Sequence, residues 1–309
     1  MKDTLDIINR EDDYIKLDKE AWRTELGIRA ITVMYDDHSS DKKSKENVFR
    51  LKDNITYRLF STCYQYKVHL KELYASENTL SKLDQKNPNQ ITGFLMGNPH
   101  FEKIEAELSS LFDNIIFQMT SIFDYFSHFI CYIIQTNKTD TTYWTKLARI
   151  SRNLVKVNKS LPIHEKINIL DNEIIGKLYD YRSRLIHNKR DKHQFSATHK
   201  LADDIFRVNI LASPELLKTF KFFNTENDIM DVTLAFAASK LIYKAFDIIE
   251  QLLDSLEVEI KSVSNFSQNL RIPKEKSGFM LVSIDPKTRI IEPASEGLWK
   301  QYKLKQNNS

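Results

Sequence analysis

The sequence predicts a mainly α protein: a helical bundle with a helical N-terminal extension and a small C-terminal β-hairpin. Apolar residues recur at helical spacing over long stretches of the chain. The six glycines are scattered, so no glycine-rich loop of the Walker or dinucleotide-binding type is present. Only residues 279–293 read as two short strands around a turn. We therefore predict an extension over residues 1–97, a helical core over 98–262 and a tail with the hairpin over 263–309.

Composition narrows the class of protein. The 309 residues are 41% hydrophobic and 28% charged, which is typical of a soluble globular chain. Forty-five Lys and Arg against 42 Asp and Glu give a net charge of +3, so any nucleic-acid site must come from local clustering. Cys63 and Cys131 predict buried thiols in a reducing compartment. The acidic N-terminus lacks the apolar core of a signal peptide. We expect a cytoplasmic protein.

The N-terminal extension is predicted to be helical. Residues 20–34 fit either one helix or a short helix and a strand. Residues 36–45 are polar and predict an exposed loop. Apolar residues over 46–75 recur with helical spacing and predict a long helix, either continuous or broken near Thr62. The polar stretch 87–97 then marks a boundary.

The core begins with a clear helix start. Asn98 can cap the helix, Pro99 suits its first position and Glu102 lies in its first turn. The helix is predicted to run to about Gln135, and its second half is dense in Ile and Phe. A membrane span is excluded by the polar residues that interrupt this half, namely Asn114, Gln118, Asp124, Ser127 and His128. We therefore expect a buried helix, and no membrane partner.

Residues 143–157 predict a basic amphipathic helix. Its cations recur at spacings of three and four, at Lys146, Arg149, Arg152 and Lys156. A solvated face is the default explanation, and an RNA-backbone surface is the alternative. Later, residues 203–211 and 215–223 fit neither helix nor strand clearly. Residues 229–260 predict a second long helix that closes the bundle.

Two patterns that resemble metal sites are weak. Asp124 and His128 lie one helical turn apart, but no third ligand accompanies them. Glu259 and Lys261 have the E-x-K spacing of metal-dependent nucleases, but that chemistry expects a strand and the local period is helical. We therefore predict no metal and no cofactor.

The segment from Asp171 to His193 carries the most unusual chemistry. Asp171 can cap a helix whose apolar stripe is Ile174, Leu178, Tyr181 and Leu185, widened by Ile175 and Ile186. Arg182 falls inside this apolar arc, whereas Arg184 lies on the polar side, one turn from Asp180. Because an unpaired buried charge costs several kcal/mol, Arg182 must be paired or must line a cleft or an interface. A structural arginine bonded to helix-end carbonyls or to Asp124 is one such arrangement.

The hexapeptide Arg182-Ser-Arg-Leu-Ile-His187, followed by Asn188, resembles the R-x4-6-H motif of the HEPN superfamily. The resemblance covers roughly residues 98–261. It implies a compact bundle of about four helices, a homodimer in which two motifs face each other, and metal-independent RNase activity. Arg182 and His187 would be catalytic, supported by Ser183, Asn188 and Asp124. Nearby cations would contact RNA, namely Lys189, Arg190, Lys192, Arg149 and Arg152.

The implied reaction is attack of a ribose 2′-hydroxyl on the adjacent phosphate. His187 would transfer the proton and Arg182 would hold the phosphate oxygens. Five residues span about 140° of a straight helix, so the two side chains converge only if the helix ends near Ile186 or if a dimer pairs them. The resemblance also suggests a toxin or an anti-phage effector, with an antitoxin or regulatory protein as partner. A non-catalytic RNA- or nucleotide-binding or protein-interaction module, and a purely structural helical protein, are the alternatives.

Overall fold

The computed structural model confirms a mainly α chain. The residues that it describes are 10–38, 45–86, 99–134, 143–187, 191–200, 205–224, 232–263, 282–284 and 291–306. Within these ranges nine α-helices alternate with two short antiparallel hairpins.

The N-terminal part consists of two long helices, α1 (Arg10–His38) and α2 (Lys45–Lys86). Residues 20–34, which fit either one helix or a short helix and a strand, form part of the single helix α1. Ile28, Ile31 and Met34 bury one continuous apolar face of this helix. The predicted long helix is confirmed, and of the two forms left open for it the continuous one is observed. The helix runs through Thr62, which is itself buried. Of the predicted loop, residues 36–38 and 45 are helical and 39–44 lie outside the described residues.

Helix α3 (Pro99–Ile133) begins at the predicted proline and is buried as predicted, while the predicted cap, Asn98, lies outside the described residues. Proline fits the first helical position because its missing N–H would have no partner there. Large side chains along the helix are fully buried, among them Phe112, Ile115, Phe126 and Phe129. No helix in the described part of the chain is long and apolar enough to cross a membrane.

The central segment begins with α4 (Trp144–Lys156), which is amphipathic as predicted. The chain is then helical without interruption through α5 (Pro162–Leu170), a π-helical turn (Asp171–Ile175) and α6 (Gly176–His187). The expectation that Asp171 caps a new helix is therefore wrong. Pro162 takes the first helical position nine residues earlier, and the helix continues through Asp171.

A hairpin follows this helix. Strands β1 (Gln194–Lys200) and β2 (Ile205–Leu211) pair antiparallel, with Gln194 opposite Leu211. Next come the short helix α7 (Pro214–Thr219) and a 3₁₀ turn (Lys221–Asn224). The Ser213 hydroxyl caps α7 by accepting a hydrogen bond from the Leu216 N–H at 3.0 Å.

Helix α8 (Leu234–Val263) begins five residues later than predicted, capped by Thr233. The predicted C-terminal hairpin is confirmed, as β3 (Val282–Ile284) and β4 (Ile291–Pro293). Helix α9 (Ala294–Gln306), which the sequence reading did not predict, follows it directly.

The described helices and strands belong to two compact units that are interleaved along the sequence. Unit 1 comprises residues 1–18, 60–120 and 173–244, and unit 2 comprises 19–59, 121–172 and 245–309. The buried residues of unit 1 include Tyr66, Phe112, Leu178 and Tyr181, and those of unit 2 include Ile28, Trp144, Leu252 and Tyr302. The division into three contiguous segments at residues 97 and 262 stays a prediction.

Candidate functional site

The predicted catalytic pair lies on the last turns of α6. Leu178 and Tyr181 form the buried side of this part of the helix, with Ile175 at the end of the π turn. Arg182 is half-buried, with its Nε atom buried, whereas His187 is the last helical residue and is exposed. The sequence pattern therefore gives one partly enclosed guanidinium and one imidazole that solvent can reach.

The helix does not bring the two side chains together. It continues through His187, so the five intervening steps place the two residues about 140° apart around its axis. Ser183 and Ile186 lie between them on the exposed face. Ile186 is 53% exposed, so the expectation that it extends the buried arc is wrong. The exposed face thus carries a large apolar side chain flanked by the two predicted catalytic residues.

The remaining predicted site residues are distributed differently. Lys192 is exposed on the chain after the helix, while Asn188, Lys189 and Arg190 lie outside the described residues. Asp124, on α3, accepts a hydrogen bond from the backbone N–H of Trp144 at 3.1 Å and so helps to fix the start of α4. Its pairing with Arg182 stays a prediction.

Arg184 fixes the motif helix to the short helix α7. Its guanidinium donates to the Thr219 hydroxyl and lies 3.4 Å from the Glu215 carboxylate. It also covers the ring of Tyr181, at 5.5 Å from the ring centroid. The predicted pairing of Arg184 with Asp180 is therefore replaced by contacts with α7, which the sequence spacing along one helix could not reveal.

A second connection starts from the buried Tyr181. Its hydroxyl donates to Asp191 Oδ2 at 2.7 Å, and the Ser213 hydroxyl donates to the same oxygen at 2.6 Å. We call Tyr181, Asp191 and Ser213 the Tyr181 clasp. Burial, followed by the hydrogen bond to Asp191, raises the pKa of Tyr181. The phenol therefore stays protonated and remains a donor throughout the neutral range.

His193 is built into the same region and is not an accessible base. Its Nδ1 atom accepts a hydrogen bond from the Ser213 backbone N–H at 3.1 Å, and its ring meets Phe112 edge to face. The imidazole is 5% exposed. Asp191, His193 and Ser213 thus form a structural network that ties the chain after the motif helix to the start of α7.

The basic face is the exposed side of α4, formed by Lys146, Arg149, Arg152 and Lys156. Trp144, Leu147, Ala148 and Ser151 are buried on the opposite side. No acidic residue occurs within α4, and only Arg152 of the four cations has an ion pair with a described residue. Helix α4 is therefore strongly positive, although the whole chain is nearly neutral.

Asp171, in the π turn, anchors α4 at two points. One carboxylate oxygen accepts from the Trp144 indole N–H at 2.9 Å, and the other accepts from Arg152 at 3.0 Å. A π turn admits one more residue than an α turn and often occurs at functional positions. Here Asp171, a residue type that often caps helices, lies in the middle of the continuous helix 162–187 and binds α4 from there.

The weak metal patterns gain no support. Among the described residues no group of three His, Cys, Asp or Glu side chains is arranged to hold a metal ion. The Glu259 carboxylate, on α8, accepts a hydrogen bond from the backbone N–H of Ile163 at 3.3 Å. Lys261 pairs instead with Glu257 and Glu296. The E-x-K pair therefore lies on a helix, and each member has a structural partner.

Sequence reasoning missed the Tyr181 clasp. Tyr181 was recognised only as a member of the apolar stripe, and nothing in the sequence near Asp191 indicates its partners. Ser213-Pro214-Glu215 did carry a signal, because a cap, a proline and an acid in that order also mark the start of α3.

No family model matches the chain, and neither a curated protein nor a solved structure matches it significantly.

Proposed function

We propose that this protein is a metal-independent endoribonuclease of the HEPN type that acts as a dimer. The observation that carries the proposal is an exposed imidazole on the last residue of a helix whose half-buried guanidinium lies five residues earlier. This arrangement fits the motif that the sequence resembles. It also supplies the two kinds of group that attack of a hydroxyl on a neighbouring phosphate requires: a group that transfers a proton and a cation that binds the phosphate oxygens.

Each residue has a distinct role in the proposed reaction. His187 takes the proton of the ribose 2′-hydroxyl, or gives a proton to the departing 5′-oxygen, because histidine exchanges protons near neutral pH. The 2′-oxygen attacks the adjacent phosphorus and the bond to the 5′-oxygen breaks, leaving a 2′,3′-cyclic phosphate. Arg182 binds two phosphate oxygens through its planar fork while negative charge accumulates on them.

The separation of the two side chains around the helix favours a second copy of the chain. One α6 presents Arg182 and His187 at opposite borders of its exposed face, so one helix cannot direct both at one phosphate. Two copies related by a two-fold axis would place Arg182 of each near His187 of the other. The exposed Ile186 lies between the two residues and provides apolar area for such a contact.

RNA would be held by cations that do not belong to the reaction. The basic face of α4 carries four positive charges and no negative one, so it matches a phosphate backbone. Lys192, and the predicted contacts Lys189 and Arg190, would add charge directly after His187. Ser183, Asn188 and Asp124 are proposed as supporting residues.

The alternative is a module that binds RNA or a protein partner without cleaving. The basic face supports this alternative equally well, because phosphate binding requires no turnover. The two functions differ in their dependence on the motif. Binding through α4 would survive removal of His187, whereas cleavage would not.

The deciding experiment is cleavage of total RNA and tRNA by the purified protein in EDTA. We expect the wild type to leave cyclic phosphate ends and Arg182→Ala and His187→Ala each to lose activity by at least about a hundredfold, the usual contribution of such groups. Arg50→Ala and His100→Ala remove an exposed residue of the same type on α2 and α3, so they serve as matched controls. Inert wild-type protein that still binds RNA would favour the non-catalytic alternative. Equal cleavage by all variants would contradict the proposal.

The proposed biological setting rests on the resemblance to the HEPN superfamily. The resemblance implies a toxin or an anti-phage effector. We therefore propose that the RNase acts in the cytoplasm and that an antitoxin or other regulatory protein restrains it.

A further inference from the structure

The chain is fixed on both sides of His187 by a single pair of side chains. Tyr181 lies six residues before His187 and Asp191 lies four residues after it. The Tyr181 hydroxyl and Asp191 Oδ2 are 2.7 Å apart, so one hydrogen bond closes a ring of eleven residues, 181–191, across the end of α6. His187 lies inside this ring.

The bond that closes the ring is itself held rigidly. Tyr181 is 1% exposed and its ring packs edge to face on Phe220. The Ser213 hydroxyl donates to the same Asp191 oxygen at 2.6 Å while it caps α7. The two ends of the ring therefore contact the residues that flank α7, Ser213 before it and Phe220 after it, and Arg184 binds α7 itself.

We propose that Tyr181 and Asp191 are positioning residues, which hold the last turn of α6 so that the His187 imidazole occupies one place. This inference rests on the proposed function only for its effect on RNA cleavage. Its effect on the helix end does not depend on any activity. A helix normally frays at its last turn because the final carbonyl groups lack partners. The Tyr181 clasp opposes fraying at the turn that carries His187.

The geometry predicts which substitutions matter. Both donors of the clasp bind Oδ2, so a single acceptor oxygen is enough to preserve it. Asp191→Asn retains such an oxygen, whereas Asp191→Ala does not, and Tyr181→Phe removes one donor without changing the shape of the side chain. Arg182, His187 and the basic face are unaltered in all three variants.

The first measurement is steady-state RNA cleavage. In Tyr181→Phe and Asp191→Ala we expect kcat to fall by about ten- to a hundredfold, the usual effect of a catalytic group misplaced by about 1 Å. KM should stay within about twofold, because the residues that bind RNA remain intact. Asp191→Asn should retain most of the activity. A role in stability alone would not separate kcat from KM in this way.

The matched control is Tyr66→Phe. The Tyr66 hydroxyl donates to Asp13 Oδ2 at the same distance, 2.7 Å, and Tyr66 is fully buried in α2 of the same unit. This variant therefore removes the same kind of bond at a place remote in sequence from the motif. We expect it to lower the free energy of unfolding comparably and to leave kcat unchanged.

The second measurement is independent of activity. Amide hydrogen exchange of residues 184–193 should accelerate about tenfold or more in Tyr181→Phe and Asp191→Ala, but not in Tyr66→Phe or Asp191→Asn. If the wild type does not cleave RNA, the proposed function fails, and the rate of amide hydrogen exchange alone then tests whether the Tyr181 clasp holds the end of α6. Unchanged exchange in Tyr181→Phe would overturn the inference, as would accelerated exchange together with wild-type kcat.

Discussion

Gly27 shows how tightly single residues are fitted in unit 2. A Cβ atom at this position would lie 2.9 Å from both Leu253 Cδ1 and Tyr302 Cε2. Glycine within a helix ordinarily costs about 1 kcal/mol relative to alanine, so its presence in α1 opposes the local preference. The close approach of α8 and α9 side chains explains why it is there.

We expect Gly27→Ala to destabilise the protein in spite of the better helix propensity. Overpacking a dense core typically costs about 1–3 kcal/mol, which exceeds the propensity gain of about 1 kcal/mol. Urea unfolding followed by circular dichroism measures the difference. A variant more stable than the wild type would mean that Tyr302 and Leu253 move aside without cost.

His164 makes stability depend on pH. It is 1% exposed, its Nδ1 atom accepts from the backbone N–H of Leu161 at 3.0 Å, and burial lowers its pKa below the ordinary 6.5. Below about pH 6.5 the unfolded chain therefore binds a proton at His164 before the folded chain does. By linkage, the free energy of unfolding has its full contribution from neutral His164 above about pH 6.5 and loses that contribution as the pH falls below this value.

The test compares unfolding free energies at pH 7.5 and 5.5. His164→Gln keeps a side-chain acceptor for the Leu161 N–H but cannot titrate. Its stability should fall less than that of the wild type over this interval. An equal fall in both proteins would attribute the pH dependence to other groups.

At the scale of elements, the sequence predicted the helices for which the apolar period and the capping residues indicate the same boundaries. Pro99 and Glu102 marked the start of α3, and the spacing of cations marked the outer face of α4. It could not predict that α5 and α6 are one helix, because Asp171 is equally suited to a cap and to its actual bonds with Trp144 and Arg152. The sequence does not indicate strands β1 and β2, because β1 carries only two apolar residues, Phe195 and Ala197, and residues 203–211 fit neither period clearly.

The candidate site divides in the same way. Arg182 and His187 could be identified because they lie within one short pattern. Arg184 and the Tyr181 clasp could not, because their partners Thr219, Asp191 and Ser213 are brought to α6 only by folding. The sequence thus indicated the two proposed catalytic residues, and the structure adds the side-chain contacts that their helix makes.

The basic face of α4 makes a quantitative prediction for RNA binding. Each phosphate contact in a single strand contributes roughly 0.7 to the slope of log K against log salt concentration. The triple variant Lys146→Gln, Arg149→Gln, Lys156→Gln should therefore bind single-stranded RNA more weakly and lower that slope by about 2. Fluorescence anisotropy between 50 and roughly 200 mM salt measures it.

A control variant separates local from overall charge. Lys19, Lys71 and Lys82 are exposed on α1 and α2, and their replacement by Gln removes the same three charges. This variant should bind RNA as the wild type does. If the two triple variants lose affinity equally, the basic face has no special role.

At the scale of the whole molecule, the two interleaved units determine which fragments can fold. Residues 98–262 lack 1–18 and 60–97 of unit 1, and 19–59 and 263–309 of unit 2. Fully buried side chains such as Ile28, Leu59 and Tyr66 would be missing, so the remaining core residues would face water.

We therefore expect the fragment 98–262 to lack cooperative thermal unfolding, whereas the full chain should retain it. Near-ultraviolet circular dichroism and differential scanning calorimetry distinguish the two cases. A fragment with its own sharp transition would instead support the contiguous core predicted from the sequence.

The same division gives the protein an internal optical reporter. Its three tryptophans, Trp22, Trp144 and Trp299, all belong to unit 2, so tryptophan emission is silent on unit 1. Trp144 and Trp299 are buried and should emit at short wavelength until unit 2 opens. Helical ellipticity, by contrast, reports on both units. Coincidence of the two signals during denaturation would identify a single cooperative transition, and emission that shifts alone would identify unit 2 as a separately melting part.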